Sequence, residues 1–267
     1  MSKRTSAPAN PSPKTPAEAA RNVREEARFG ASFLRRHWVR LLLVFAGVGL
    51  PLWAFGELAD EVHEGEPFPF DEPLLRFAHR LAGDGLDGVF LLASELGYTG
   101  VILADCVLVL ALVVRGRRRA GLFATLAFVG SMLLNIGAKH AFGRIRPALW
   151  ASIAPETTFS FPSGHAMGSM TLACVVVLLW WHLRDPRWRA WRWPVAALAA
   201  AFVLAVGLSR IYLGVHYPSD ILAGWTAAMA WTVGMYSLVF HTGWILKEPL
   251  IRRFAPPSPR QRGEGRR

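Results

Sequence analysis

Three clusters of polar residues interrupt the second half of this sequence: Lys139, Arg144 and Arg146 with Pro147; Pro162-Ser163-Gly164-His165; and Ser209-Arg210 with His216 and Asp220. Their types suit phosphoryl transfer. A phosphate ester spreads its charge over several oxygens, and fixed cations and N–H donors must match that charge. Lys139, Arg146 and Arg210 supply three cations, and each arginine fork can grip two oxygens. Ser163 reads as a helix N-cap, and Gly164 lets the backbone come close to a ligand. The free N–H groups and positive dipole end of that helix would then face the anion. His216 precedes Asp220 by four residues, with Pro218 placed as the first residue of a helix. Asp220 in that first turn reaches back to one ring nitrogen, fixes the tautomer and leaves the other nitrogen free to attack phosphorus. His165 is then the acid that protonates the departing oxygen. The cations already neutralise the transition state, so the expectation is chemistry without a metal or cofactor. Taken singly, each residue has an ordinary use as a headgroup contact, a cap or an interfacial histidine. Nine polar residues in this order are better explained by one shared site.

The elements that must position these groups follow from composition and charge. The chain has 267 residues, of which 52% are hydrophobic and only 18% charged, yet its formal net charge is +11. With 16 Phe and 11 Trp it is no disordered polycation. Its charged fraction also falls below the usual quarter of a soluble domain. Apolar blocks separated by basic connectors describe an integral membrane protein. Six such blocks lie near residues 38–55, 97–114, 120–141, 165–183, 193–208 and 219–246, each close to the ~20 residues that cross a bilayer. The expected fold is all-α, a bundle of six transmembrane helices over 36–248. Basic tails at 1–35 (disordered, with a short helix near 17–29) and 249–267 flank it. The block at 38–55 reads as an uncleaved first span, since no small-residue cleavage site follows it.

The basic residues set the orientation. Nine Lys/Arg fall in the first 40 residues, four in 115–119, four in 184–192 and seven in 247–267, so 24 of 30 share one side. The positive-inside rule makes that side cytoplasmic and puts both termini there. The opposite side receives Arg76, Arg80, Lys139, Arg144, Arg146 and Arg210, together with an acidic connector between Glu57 and Glu72. All three polar clusters then lie at the outer ends of spans three to six. The segment 72–92 is amphipathic and reads as a surface helix or as an extension of span two. Trp180, Trp181, Trp188, Trp191 and Trp193 read as an interfacial belt, and a nucleic-acid reading of them is poorly motivated. Cys106 and Cys174 read as packed thiols, without zinc-ligand spacing to any histidine. Asp105 interrupts span two, where an ionisable group is either functional or snorkels to the outer interface. Arg144 is assigned to headgroup contact, and the other six histidines receive no role.

The patterns Lys139-x6-Arg146-Pro147, Pro162-Ser163-Gly164-His165 and Ser209-Arg210-x5-His216-x3-Asp220 resemble the three signature motifs of the type 2 phosphatidic acid phosphatase family. Order, spacing and placement between spans match as well. The resemblance implies metal-independent dephosphorylation through a phosphohistidine on His216, with Asp220 as orienter and His165 as acid. Lys139, Arg146, Ser163, Gly164 and Arg210 would hold the phosphate. It also implies a bacterial inner-membrane enzyme acting on lipid phosphates or diphosphates, with the bilayer and its lipid as partners, no nucleic acid, and a site facing away from the cytoplasm. Soluble relatives of that family include vanadate-dependent haloperoxidases, against which the six spans argue. Two alternatives stay open: a phosphotransferase using the same residues, and a non-catalytic transporter of anionic lipid. The transporter would need polar residues through the middle of several spans.

Overall fold

Helical hydrogen bonding runs further along this chain than hydropathy does. The computed structural model describes residues 32, 35, 38, 39, 42–182 and 186–247, with Asp84 and the last seven as backbone only. Apart from residues 32 and 35, the expected tails at 1–35 and 249–267, including the helix near 17–29, lie outside the described residues. Among the described residues every regular element is helical. The first helix, α1 (Leu42–Glu64), carries a π-helical stretch at Phe45–Gly49. The apolar run stops near Phe55 because Glu57, Asp60 and Glu61 follow, but the helix continues to Gly65, which takes φ 77° and closes it through bonds to Glu61 and Val62.

The amphipathic segment divides into two helical pieces. Asp71–Arg80 forms a separate short helix, α2, with Asp71 and Glu72 in its first turn and His79 and Arg80 in its last, as the helix dipole favours. The remainder extends the second apolar block, so that α3 runs from Gly85 to Val114 with a π-helical stretch at Leu96–Gly100. The other helices are α4 (Arg118–Phe142), α5 (Gly164–His182), α6 (Arg192–Tyr212) and α7 (Pro218–Lys247).

Five of these, α1, α3, α4, α5 and α6, are long and apolar enough to cross a membrane. The helix α7, as long as α3 at 30 residues, is not among the five. Its apolar run is diluted by residues such as Thr226, Trp231, Thr232 and Gly234. Leu103, Val107, Leu110 and Val114 on α3 are 61 to 76% exposed, a surface suited to hydrocarbon and unsuited to water. The lengthened α3 also relocates Asp105. It lies twenty residues after Gly85 and nine before Val114, away from both ends of the helix. Its Oδ1 is buried without a hydrogen-bond partner. Cys174 is half-buried, as packing requires, but Cys106 is exposed. The tryptophans do gather at one end of α5 and α6: Trp180 meets Trp188, and Trp181 meets Trp193, each pair edge-on at 5.4 Å.

At the centre stands α5, packed against α3, α4, α6 and α7. Its buried face is made of small and polar residues, Ala166, Ser169, Thr171 and Ala173 among them. Thr171 donates to Met167 O and meets Ser131 Oγ on α4, both at 2.8 Å. Where α4 meets α7, the indole of Trp231 lies against Gly130 and donates to Leu126 O at 3.1 Å. A Cβ at Gly130 would stand 2.1 Å from that ring, whereas one at Gly137, on the exposed side of the same helix, would meet nothing. Gly130→Ala is therefore expected to destabilise the protein by about 1–3 kcal/mol through overpacking. Gly137→Ala should be neutral or stabilising by up to about 1 kcal/mol. Thermal unfolding of the two variants in detergent distinguishes these outcomes, and equal shifts would contradict the packing described.

Candidate active site

Pro218 opens α7 and places Asp220 in its first turn, four residues after His216. His216 itself lies in the bend before the helix, which turns its ring back onto that carboxylate. Here the His216 ring Nδ1 lies 3.4 Å from Asp220 Oδ2, and both residues are fully buried. The same carboxylate oxygen accepts the Tyr217 N–H at 2.9 Å and the Ser160 hydroxyl. On the other side of the ring, Nε2 is 2.9 Å from Arg146 Nη1. A guanidinium can only donate, so Nε2 is the acceptor, its lone pair turned toward the cation, and the ring proton sits on Nδ1 facing Asp220. Burial pushes the His216 imidazole down to about 4, with its hydrogen bond to Asp220 opposing the shift.

The cations converge on this nitrogen from three elements. Arg146 follows α4 and is tied by its Nε to Thr158 O and by Nη1 to Val215 O, both at 2.6 Å. Lys139, in the last turn of α4, reaches the Phe159 carbonyl and, at 3.3 Å, Thr158 Oγ1. Arg210, in the last turn of α6, is fully buried and donates to Ser94 Oγ on α3. In the middle sits a residue the sequence did not single out. The Glu156 carboxylate bridges Arg146, at 2.6 Å, and Arg210. It also lies 3.8 Å from His165 Nδ1 and 3.9 Å from His216 Nε2. Burial alone would raise the Glu156 carboxyl, but the guanidinium charges of Arg210 and Arg146 outweigh it and hold the group below the ordinary carboxylate range.

His165 enters from the start of α5, its ring stacked at 5.3 Å on Tyr98, which the π-helical stretch of α3 carries. Ser163 is fully buried, and its Oγ accepts the Ala166 N–H at 3.4 Å, the capping geometry its type predicts. Its own N–H is taken by Asp220 O at 3.1 Å. Gly164 presses against Asn135, where a Cβ would stand 3.1 Å from Oδ1. The eight expected residues thus come together at one end of α4, α5, α6 and α7. Arg144 is the correction. It is no headgroup contact but a largely buried ion pair, 2.6 Å from Asp220 Oδ1 and 3.0 Å from Asp71 Oδ2. Asp71, Glu156, Thr158, Ser160, Ser94 and Tyr98 were missed. They lie in loops or on distant helices, with no local spacing to mark them.

Such a site can hold a tetrahedral anion. It offers fixed cations on several sides, an unprotonated imidazole nitrogen among them and a second imidazole across the Glu156 carboxylate, which stands in for an anion's oxygens.

Comparison with known proteins finds matches over the stretch that carries these residues. Residues 120–244 match the family model of the PAP2 superfamily. The chain is 31% identical over 175 residues to phosphatidylglycerophosphatase B of Bacillus subtilis (strain 168), covering 64% of this chain and 84% of that protein. It is 30% identical over 145 residues to an undecaprenyl-diphosphatase of Sulfolobus acidocaldarius, covering 52% of this chain and 64% of the relative. Among solved structures it resembles a transmembrane PAP2 type phosphatidylglycerolphosphate phosphatase from Bacillus subtilis. The TM-score is 0.60 at 28% identity, over 70% of this chain and 94% of the other.

Two outcomes follow from the electrostatics. Glu156→Gln removes the internal counter-anion, so thermal stability should fall in anion-free buffer. Inorganic phosphate should then raise the unfolding temperature more steeply than in the unaltered protein, because it stabilises by occupying the freed cations. Identical phosphate responses would contradict the bridging role. The second concerns pH. Unfolded, His216 takes a proton near pH 6.5, whereas the fold keeps the ring neutral down to about 4. Stability from this group is therefore full above pH 6.5 and falls as pH drops toward 4, by at most about 1.4 kcal/mol per unit. His216→Asn should flatten that slope in a pH series of unfolding temperatures, and an unchanged slope would contradict it.

Proposed function

The chain belongs to the PAP2 superfamily, and from that premise we propose that it is a membrane hydrolase of lipid phosphates or diphosphates that works through a phosphohistidine on His216. The observation that carries this reading is the lone pair of His216 Nε2, aimed into the cluster of Arg146, Arg210, His165 and the carboxylate of Glu156. A substrate phosphate displaces that carboxylate and takes over its contacts with Arg146 and Arg210. Lys139 adds a third cation, and the first N–H groups of α5, which lack intrahelical acceptors, add donors. Nε2 forms a bond to phosphorus as the ester oxygen leaves. His165 gives that oxygen its proton, and Asp220 holds Nδ1–H and offsets the positive charge the ring acquires. Water then attacks the phosphohistidine with His165 as base, releasing phosphate and restoring both rings. In this mechanism fixed cations supply the charge stabilisation that a metal ion would otherwise provide.

The membrane arrangement belongs to the same proposal. With α7 as a sixth span, the basic connectors at 115–119 and 184–192 fall on the side of both termini. That side is cytoplasmic by the positive-inside rule. The site then opens at the outer face of a bacterial inner membrane, where a lipid headgroup is within its reach. The printed activities of the relatives, a phosphatidylglycerophosphatase and an undecaprenyl-diphosphatase, support a lipid monophosphate or diphosphate as substrate. The test is phosphate release from a panel of both classes by purified protein in detergent with EDTA present. Activity should survive EDTA, and His216→Ala should lower it by roughly a thousandfold or more. Undiminished release by His216→Ala would overturn the mechanism.

A further inference from the structure

Arg144 spans two buried carboxylates with its two prongs. Nη1 donates to Asp220 Oδ1 at 2.6 Å and to Ser219 Oγ at 2.8 Å, while Nη2 donates to Asp71 Oδ2 at 3.0 Å. Asp71 is the first residue of α2, and it also accepts the Ser219 N–H at 2.9 Å and the Ser219 hydroxyl at 2.6 Å. The ring of Tyr217 lies against the guanidinium, 4.1 Å from its carbon. Asp220 therefore divides its work. Oδ1 is fixed by Arg144, and Oδ2 is left for His216 Nδ1, Tyr217 N and Ser160.

We propose that Arg144 and Asp71 are positioning residues for His216, and that the docking of α2 through Asp71 is part of the catalytic geometry. This rests on the reading of His216 as nucleophile. Two physical arguments support it. The first is orientation. A carboxylate held by one oxygen only can rotate about its Cβ–Cγ bond, and the Arg144 fork removes that freedom. The second is charge. Asp71 and Asp220 carry two negative charges and Arg144 one positive, so the triad holds one net negative charge beside the ring. When the Nε2 lone pair bonds to phosphorus and the P–O bond to the leaving group breaks, the ring keeps Nδ1–H and gains one positive charge, while His165 gives its proton to the departing oxygen. The triad matches that charge. Arg144 without Asp71 would cancel Asp220 and leave the new cation unmatched in a buried site.

The experiment compares Arg144→Ala, Arg144→Lys and Asp71→Asn with the unaltered full-length protein. It uses a diacyl lipid monophosphate in detergent, with kcat scaled to the folded fraction from thermal unfolding. Arg144→Ala should lose about ten- to a hundredfold in kcat, the usual cost of removing a group that orients a reacting side chain. KM should stay within about twofold, and added guanidinium should restore part of kcat. Arg144→Lys keeps the charge without the fork and should not restore kcat, and Asp71→Asn should lower kcat with KM unchanged. Should Arg144→Ala fail to fold, Arg144→Lys and Asp71→Asn, which preserve charge and shape respectively, carry the test. An unchanged kcat per folded molecule would overturn the proposal, because it would leave Arg144 a purely structural ion pair. A raised KM with intact kcat would overturn it in favour of headgroup contact. His216→Ala separates the two layers: if it stays active, the nucleophile reading fails, and if it is inactive while the Arg144 and Asp71 variants keep full kcat, only the positioning claim fails.

Discussion

Burying like charges beside one another is costly unless an opposite charge neutralises them, and the rest of this architecture follows from that constraint. Arg146 and Arg210 are held close together, with Lys139 near them and Arg210 fully buried. Glu156 supplies the missing negative charge by bridging the two guanidinium groups. The connector between α4 and α5 therefore has to fold back over the helix ends, and its carbonyls at Thr158 and Phe159 take up donors of Arg146 and Lys139. An anion that enters must offer at least what Glu156 offers. A phosphate does, with more charge and more oxygens, so the interaction that balances the buried cations also favours such an anion.

The helices deliver these groups in a way that suits their dipoles. Lys139 and Arg210 sit in the last turns of α4 and α6, where the dipole is negative. His165 and Asp220 sit in the first turns of α5 and α7, where the dipole is positive; in α7 the first N–H groups are taken by Asp71 and the Tyr217 carbonyl. Four antiparallel neighbours thus place basic ends and donor-rich ends together at one face of the bundle. The opposite ends carry the tryptophan cluster. Between them the lining is small or apolar, which lets α5 stay central and keeps polar chemistry at the surface where a headgroup can arrive.

Local features of this site were legible in the sequence and distant ones were not. The spacing of His216 and Asp220 predicts their contact because the two flank a helix start only four residues apart, and the serine before Gly164 predicts its cap because an N-cap oxygen reaches an N–H within the first turn. The apolar blocks gave the spans, but hydropathy misplaced their ends, since α1 continues through Glu57, Asp60 and Glu61 as a regular helix and α3 begins well before its apolar run. That second difference puts Asp105 well inside α3, not near its start. Glu156 carries no local mark, and its place depends on a connector closing over four helix ends. Arg144 looked like a headgroup contact because its partner Asp71 lies far upstream, on a helix whose position no spacing rule supplies.

The central claim is that His216 becomes covalently phosphorylated during turnover. The most direct measurement is rapid acid-free quenching of the purified protein with a lipid phosphate labelled in its phosphate group, followed by peptide mapping. The account predicts a transient, acid-labile and alkali-stable label on His216 that forms and decays at rates consistent with turnover and is absent from His216→Ala. Turnover with no label on the protein, or a label on any other residue, would contradict it.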